Sequence, residues 1–502
     1  MPRRSAAAPP PPRPSLQPNV PGRGITASYG AGFWGLVVGI GAFAGLAGAA
    51  LTEILKAVER LFWSYRSGSF VAAADATSAA HHVVVLLLAG VVAGVGVIAI
   101  RRVAPSPGGE ISESLWLRAG RLRLGSSLAR AVLSVVTVGM GASLGREAAP
   151  QLAGAAMASR ASGWAGIPDW QRRLLVACGA GAGMAAVYNV PLGGALFALE
   201  VLLGTVTLPL VLPALATTLI ATATAWIVIP DEPTYRVPIA GVTASQIVWA
   251  IVIGPLAGLA AVLWVRLIAR ANALRPRGRG RLFAPIGVFA ALGAVAIAYP
   301  ELLGNGQDLV QRSLVGQLSF GLIAVLLVLK PLATAGCLGS GSPGGLFTPT
   351  LAYGVLVGGL LGHAWGLVWP GTPAGSYALI GGAAVLAASM QGPLSAIVLM
   401  IELTGRADAL MVPMLLAVVP AIVVTRIARA PSIYSARLAV PATLPPAGGE
   451  LARRRPAFAF DLPERRGEPR LGHDVERDLG QGSRAVPDPR GEARERGGAE
   501  GG

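Results

Sequence analysis

Gly145-Arg146-Glu147-Ala148-Ala149-Pro150 places an acidic residue between two long apolar stretches. A partner stretch, Gly344-Gly345-Leu346-Phe347-Thr348-Pro349, follows 199 residues later. The two windows keep one register. Ser143 aligns with Ser342, Gly145 with Gly344, Pro150 with Pro349, Leu152 with Leu351 and Ala153 with Ala352. Each window reads as a Gly-rich loop running into a helix, with proline near the first turn, where its missing N–H costs least. Helix N-termini expose free N–H groups and carry a partial positive charge, so they attract anions. Two such ends in one apolar chain predict an anion site.

The surroundings of these windows set the class. The chain has 502 residues, 53% of them hydrophobic and only 13% charged, with a mean hydropathy of +0.61. That is too apolar for an ordinary soluble enzyme. Apolar stretches recur from about 31 to 428, among them 82–100, 208–229, 282–299, 315–329 and 375–401. A spanning helix needs about 20 apolar residues, so the expected fold is an all-α polytopic membrane protein. Shorter stretches such as 126–142, 172–187 and 191–203 are broken by Gly and Pro. Such pieces suit half-spanning helices that stop inside the membrane and line a site. The 67 glycines fit close packing of membrane helices.

The ends differ from the middle. Residues 1–30 are rich in Pro and Arg, with no apolar signal-peptide core. Residues 441–502 are rich in Pro, Gly, Arg and acid. Both ends are expected to be disordered. From residue 445 onward the chain carries 11 Arg and 11 acids, so the net +16 lies in residues 1–444, with 30 basic and 14 acidic side chains. Basic clusters at Arg101–Arg102, Arg118–Arg130, Arg172–Arg173 and Arg266–Arg281 flank the apolar runs. That arrangement reads as positive-inside topology rather than as a nucleic-acid surface, and no nucleic-acid partner is expected. A cytoplasmic start follows from the arginines of the N-terminus.

Other chemistries find little support. Cys178 and Cys337 sit in apolar surroundings, with no Cys-x-x-Cys pattern. Only His363 among four histidines falls within a span, and it reads as a packed residue. No Walker loop and no His-Glu-x-x-His is present, so neither a metal site nor a cofactor is expected. Gly141-Ala142-Ser143-Leu144-Gly145 does fit Gly-x-Ser-x-Gly, and Asp308 and His363 follow in triad order. A nucleophile elbow needs a strand–turn–helix setting, whereas this segment follows a helix-like run. The chain is therefore not read as an enzyme.

A second set of matches, at an offset of 202, extends the internal repeat. Gly179, Ala182, Ala185, Ala186, Pro191, Leu192 and Glu200 align with Gly381, Ala384, Ala387, Ala388, Pro393, Leu394 and Glu402. The proline and glutamate pairs carry the argument, because intramembrane glutamates are rare. Duplication predicts two repeats, about 31–230 and 239–440. An inverted pair would bring both helix N-termini to one central point, with the substrate site between them. Glu147, Glu200 and Glu402 lie in the repeated windows, and a charge at bilayer depth is a functional candidate by default. For Glu200 and Glu402 the plainer reading is pairing with an arginine or a helix end. Lys330, one of two lysines, ends an apolar run and snorkels, pairs with an acid, or adds positive potential near the site.

These residues together resemble the CLC chloride channel and transporter family. Gly145-Arg146-Glu147 with Pro150 is similar to its Gly-Arg-Glu-Gly-Pro element. Lys330…Thr334…Gly339-Ser340-Gly341…Gly344-Gly345-Leu346-Phe347-Thr348-Pro349 looks like its second signature. Tyr188-Asn189-Val190-Pro191-Leu192 through Glu200 resembles its central Asn-x-Pro-Leu helix pair, and Ile433-Tyr434-Ser435 its late tyrosine segment. The resemblance spans roughly 31–440. It implies a transmembrane anion transport domain of inverted repeats, a homodimer in the cytoplasmic membrane, and chloride as the transported ion. It implies that backbone N–H groups of Leu346 and Phe347 and the hydroxyl of Tyr434 hold chloride, beside Gly145 and Arg146, with Glu147 as the gate. Glu147 and Glu200 are the candidate proton-transfer groups.

Two departures from the family pattern bear on mechanism. Gly109, in Gly108-Gly109-Glu110-Ile111-Ser112-Glu113, falls where the family usually offers a serine hydroxyl to the central anion; Ser112 and Ser106 are nearby substitutes. Val201 stands where proton-coupled members commonly carry an acid after the position of Glu200. Valine cannot pass a proton. This favours passive, glutamate-gated chloride conduction, with chloride/proton or fluoride/proton exchange as the alternative. The paired regulatory domains of many eukaryotic members are not expected, because the polar tail is too short for them.

Overall fold

Local signals in the sequence start and stop the helices. Thr243 opens one with a full capping box, its hydroxyl on the Gln246 backbone and the Gln246 side chain on its own backbone. Ser69, Ser78 and Ser319 cap others with side-chain oxygens. The computed structural model describes residues 29–104, 110–238, 241–405 and 407–438. The expectations for the two termini, and for Ser106 and Gly109, lie outside the described residues.

Among the described residues the fold is all helical. The first half comprises α1 (Ala31–Trp63), α2 (Phe70–Asp75), α3 (Ala79–Val103), α4 (Ile111–Leu117), α5 (Leu124–Gly139), α6 (Ala148–Trp164), α7 (Asp169–Tyr188), α8 (Pro191–Leu196) and α9 (Leu208–Ala225). Helix α8 runs on as a π-helical segment over Phe197–Leu203. The second half comprises α10 (Ala244–Ala273), α11 (Gly280–Ala296), α12 (Gln307–Leu314), α13 (Phe320–Gly339), α14 (Phe347–Val368), α15 (Ala374–Met390), α16 (Pro393–Thr404) and α17 (Met411–Ile427). Helices α1, α3, α9, α10, α13 and α14 are long and apolar enough to cross a membrane; several others are apolar but shorter.

The halves repeat each other in packing as well as in sequence. Helix α6 packs on α7 as α14 packs on α15, and α1 on α9 as α10 on α17. Helix α5 meets α6 as α13 meets α14, and α7 meets α9 as α15 meets α17. Close approach needs glycine in both copies. A Cβ on Gly154 would strike the Gly179 carbonyl, and one on Gly358 would lie 2.6 Å from the Tyr377 oxygen. Each half also breaks its apolar run at one place. Asn189 and Gln391 turn left-handed, at φ 57° and 58°, two residues before Pro191 and Pro393. The apparent single stretch 375–401 is therefore two helices, α15 and α16.

Reciprocal contacts join the halves. The Glu200 carboxylate accepts from the backbone N of Leu394 (3.2 Å) and from the N and Oγ of Ser395 (both 2.6 Å) at the start of α16. Glu402, on α16, accepts from the N of Leu192 (2.9 Å) and Gly193 (2.6 Å) at the start of α8. Each repeat thus satisfies the free amides of the other. Such an exchange is the mark of a two-fold relation, and the fold is a pair of inverted repeats.

Lys330 lies within α13 and is 1% exposed. Its Nζ donates to the carbonyls of Leu302 (2.9 Å), Glu301 (3.4 Å) and Gly304 (3.5 Å). It does not snorkel; it ties down a loop.

Candidate functional site

Two loops build the site. Both turn on a left-handed glycine, Gly141 (φ 109°) and Gly341 (φ 99°), a conformation that costs other residues dearly. The loops then meet in a short antiparallel bridge. Gly145 N donates to Gly345 O at 2.9 Å, and Gly345 N to Gly145 O at 2.8 Å. Helix α13 braces the first loop. Thr334 on α13 lies 3.3 Å from Ser143, oxygen to oxygen, and the segment held by Lys330 donates Gly304 N to Gly141 O at 3.0 Å. The bridge places the N-terminus of α6 beside that of α14.

Glu147 fills the junction and is 1% exposed. Its Oε1 accepts from Phe347 N at 2.7 Å, at the first turn of α14. Its Oε2 accepts from Thr348 Oγ1 at 3.1 Å and from Tyr188 OH at 3.3 Å. Tyr188 and Thr348 also touch each other, 2.6 Å apart. The carboxylate lies so close over Gly145 and Gly345 that a Cβ on either would overlap Oε1. A buried carboxylate is tolerated only when its oxygens are satisfied; here backbone and hydroxyl donors do so without a cation.

A cavity of about 160 Å³ opens from this point. Glu147, Ala148, Leu346 and Tyr434 line it, together with the loop Ser340–Gly345. Arg101, Arg275, Arg281 and Arg437 also line it, near helix ends or in connecting loops, with Arg130 from within α5. Glu110 joins them and pairs with Arg437 at 2.6 Å. Burial, and then the nearby Arg437 charge, lowers Arg275 to about 10, so it remains cationic at neutral pH. With five arginines against Glu110 and Glu147 on its lining, the cleft carries an excess of positive charge, and such a low-dielectric cleft concentrates anions.

Most residues singled out in the sequence converge here. Glu147, Gly145, Leu346 and Phe347 meet at the loop bridge, and Tyr434 lines the cavity with its ring edge-on to Phe197 at 5.6 Å. Arg146 turns aside, its guanidinium carbon 5.2 Å from the centre of the Tyr188 ring. Glu200 is taken up by α16 instead of lining the cavity. Tyr188 and Thr348 were not assigned from sequence; for Thr348, a hydroxyl one residue into a helix after a Gly-rich loop was the available signal, whereas Tyr188 ends α7 and carried none. The hydrolase constellation is not assembled. Ser143 contacts Thr334, Asp308 accepts from Ser69 Oγ (2.6 Å), and His363 Nδ1 bonds Gly359 O (2.8 Å). Cys178 and Cys337 are buried free thiols.

The similarities to known proteins agree with this geometry. A family model described as voltage gated chloride channel matches residues 89–426. The voltage-gated ClC-type chloride channel ClcB of Salmonella typhimurium is 32% identical over 404 residues, covering 79% of this chain and 96% of that protein. The putative chloride channel protein ClcB-like of Ralstonia nicotianae is 34% identical over 345 residues, covering 65% of this chain and 78% of that protein. Among solved structures, a slow cyanobacterial Cl-/H+ antiporter superposes with a TM-score of 0.72 at 20% identity, covering 81% of this chain and 97% of that one. A CLC-type fluoride/proton antiporter gives 0.66, also at 20% identity, covering 81% and 97%. The chain belongs to the voltage gated chloride channel (CLC) family, a membrane chloride transport protein and not an enzyme.

Proposed function

We propose that Glu147 is the gate of a chloride pathway running through the arginine-lined cavity. One observation carries this reading: the Glu147 carboxylate takes the Phe347 amide at the N-terminus of α14, a place suited to any small anion. An ionised carboxylate there is a competitor for chloride. Protonation removes its charge, weakens its hold on the Phe347 N–H, and frees that amide for chloride. Both pH and chloride concentration therefore act on one equilibrium. Leu346, Phe347 and Tyr434 contribute to the chloride site, and Gly145 and Gly345 leave room for the gate.

The reading adopted is passive conduction. Val201, beside Glu200, offers no proton carrier, and Glu200 is committed to α16, where it serves as a cap. A second reading, exchange of chloride or fluoride for protons, is favoured by the antiporters among the similar structures. A homodimer in the cytoplasmic membrane belongs to both readings and is supported by the family resemblance.

Proteoliposomes loaded with chloride provide the test. With an outward chloride gradient, efflux and external pH are followed together. Conduction gives chloride loss with no proton movement against its gradient; chloride-driven uphill proton movement would replace conduction with exchange. Glu147→Ala is expected to keep chloride flux while removing its dependence on pH. A variant with the parent's pH profile would end the gating assignment.

A further inference from the structure

A second basic groove shares no lining residue with the pathway cavity. It measures about 590 Å³ and is walled by the α4–α5 connection and the start of α7. Arg118, Arg121, Arg123 and Arg173 line it, with Asp169 the one acid among the described residues there. The chain builds this concavity locally. Ala119 and Gly120 turn left-handed, at φ 51° and 75°, and fold the connection back onto α7. A Cβ on Gly120 would lie 3.4 Å from the Arg173 Cα. Ser159 on α6 holds the connection there, its Oγ accepting from Leu122 N at 2.8 Å. Glu147 precedes α6 and Tyr188 ends α7, and the two meet at the candidate gate. The α6–α7 turn and the groove beside it therefore lie at the opposite ends of those helices, on a face that the arginine flanks mark as cytoplasmic.

The charges in the groove do not balance. Asp169 is shared by Arg172 and Arg121, and Arg118 pairs with Glu113 at 2.8 Å. Among the described residues no acid pairs with Arg123 or Arg173, and Arg173 Nε is buried without a hydrogen-bond partner. Guanidinium groups drawn together repel unless an anion lies between them, and a buried N–H without a partner adds to the cost. Helices α5 and α7 both start here without a side-chain cap, so their free N–H groups add partial positive charge. Positive-inside topology asks only for arginines on this face. It does not ask them to converge on one concavity or to leave a guanidinium nitrogen unpaired.

We propose that Arg118, Arg121, Arg123 and Arg173 form a binding site for a phosphate group, outside the ion pathway. Forked guanidinium donors match the several oxygens of a phosphate, which a single-atom halide does not offer. The group is the phosphodiester of an anionic lipid headgroup or a free phosphate. The surroundings favour the lipid. Leu117 on the rim is exposed, and Trp164 at the end of α6 is 68% exposed. Such residues suit the membrane–water interface, where basic side chains meet anionic headgroups.

Calorimetric titration of the full-length protein in neutral detergent, at fixed chloride, tests this with three probes. These are short-chain phosphatidylglycerol, short-chain phosphatidylcholine and inorganic phosphate. Phosphatidylglycerol is expected to bind saturably, and phosphatidylcholine, whose choline cation the arginines repel, far more weakly. Arg123→Gln changes an exposed side chain, so the fold survives it, and it should weaken phosphatidylglycerol binding about fivefold, the worth of one arginine beside an anionic headgroup. Arg173→Gln should act alike, and Arg173→Lys, which keeps the charge without the fork, should restore only part of the loss. Arg279→Gln, at an exposed position outside the groove, should keep the parental affinity. Inorganic phosphate binding without phosphatidylglycerol binding, and with the same dependence on Arg123 and Arg173, would uphold the site with a free phosphate as its occupant. Parental affinity in both Arg123→Gln and Arg173→Gln, an equal loss in Arg279→Gln, phosphatidylcholine binding as tightly as phosphatidylglycerol, or no binding of either phosphate probe would overturn it.

Discussion

At the scale of single residues, the carboxylate of Glu147 is held by a small set of donors whose removal has a definite sign. Phe347 supplies a backbone amide that substitution cannot delete. Thr348 supplies a hydroxyl 3.1 Å from Oε2, and that can be removed. Thr348→Val keeps the side-chain shape and takes away one hydrogen bond to a charged acceptor, worth about 1.5 kcal/mol. If the ionised carboxylate blocks the chloride site, losing that bond weakens the blocked state. The chloride concentration giving half-maximal flux should then fall by about tenfold, measured as efflux from proteoliposomes at fixed pH. An unchanged or higher concentration would mean that the hydroxyl serves chloride at least as much as it serves the gate. Tyr188→Phe should act in the same direction and more weakly, since its contact with Oε2 is longer, at 3.3 Å.

At the scale of elements, the repeated glutamates do structural work that the sequence only half reveals. The match of Glu200 with Glu402 was legible because a conserved offset of 202 stands out among so few acids. What each touches was not, since the partner of Glu200 lies 194 residues away in α16. Helix existence was legible from the apolar runs, whereas the break at Gln391 was hidden inside one of them. A residue in the left-handed region two positions before a proline is a local event that mean hydropathy does not see. The cross-capping predicts how Glu200→Gln and Glu402→Gln behave. Each loses a charge-assisted cap on a helix N-terminus and should cost about 1–2 kcal/mol of stability. A lower melting temperature in detergent, with conduction retained, is the expected result. For Glu200→Gln, an unchanged melting temperature with altered proton movement would instead make it a proton carrier.

At the scale of the whole molecule, the fold converts arginines scattered over three hundred residues of sequence into one electrostatic feature. The basic clusters were legible as flanks of membrane spans, which is what composition can show. Their convergence was not, because Arg101, Arg130, Arg281 and Arg437 reach the same cavity from helices and loops of both repeats. Under the proposed function, the positive-inside topology expected from sequence and the attraction of anions are two uses of the same residues. The second use makes a prediction that the first does not. A charge lining the mouth of a low-dielectric cleft raises the local anion concentration, and salt screens it over about 10 Å at 0.1 M. Arg281→Gln should therefore lower chloride efflux on the order of threefold at low ionic strength. The deficit should shrink as an impermeant salt is added. If Arg281 acts only on topology, the loss will appear as less inserted protein, equal at every ionic strength. Flux normalised to reconstituted protein, measured across a series of salt concentrations, separates the two.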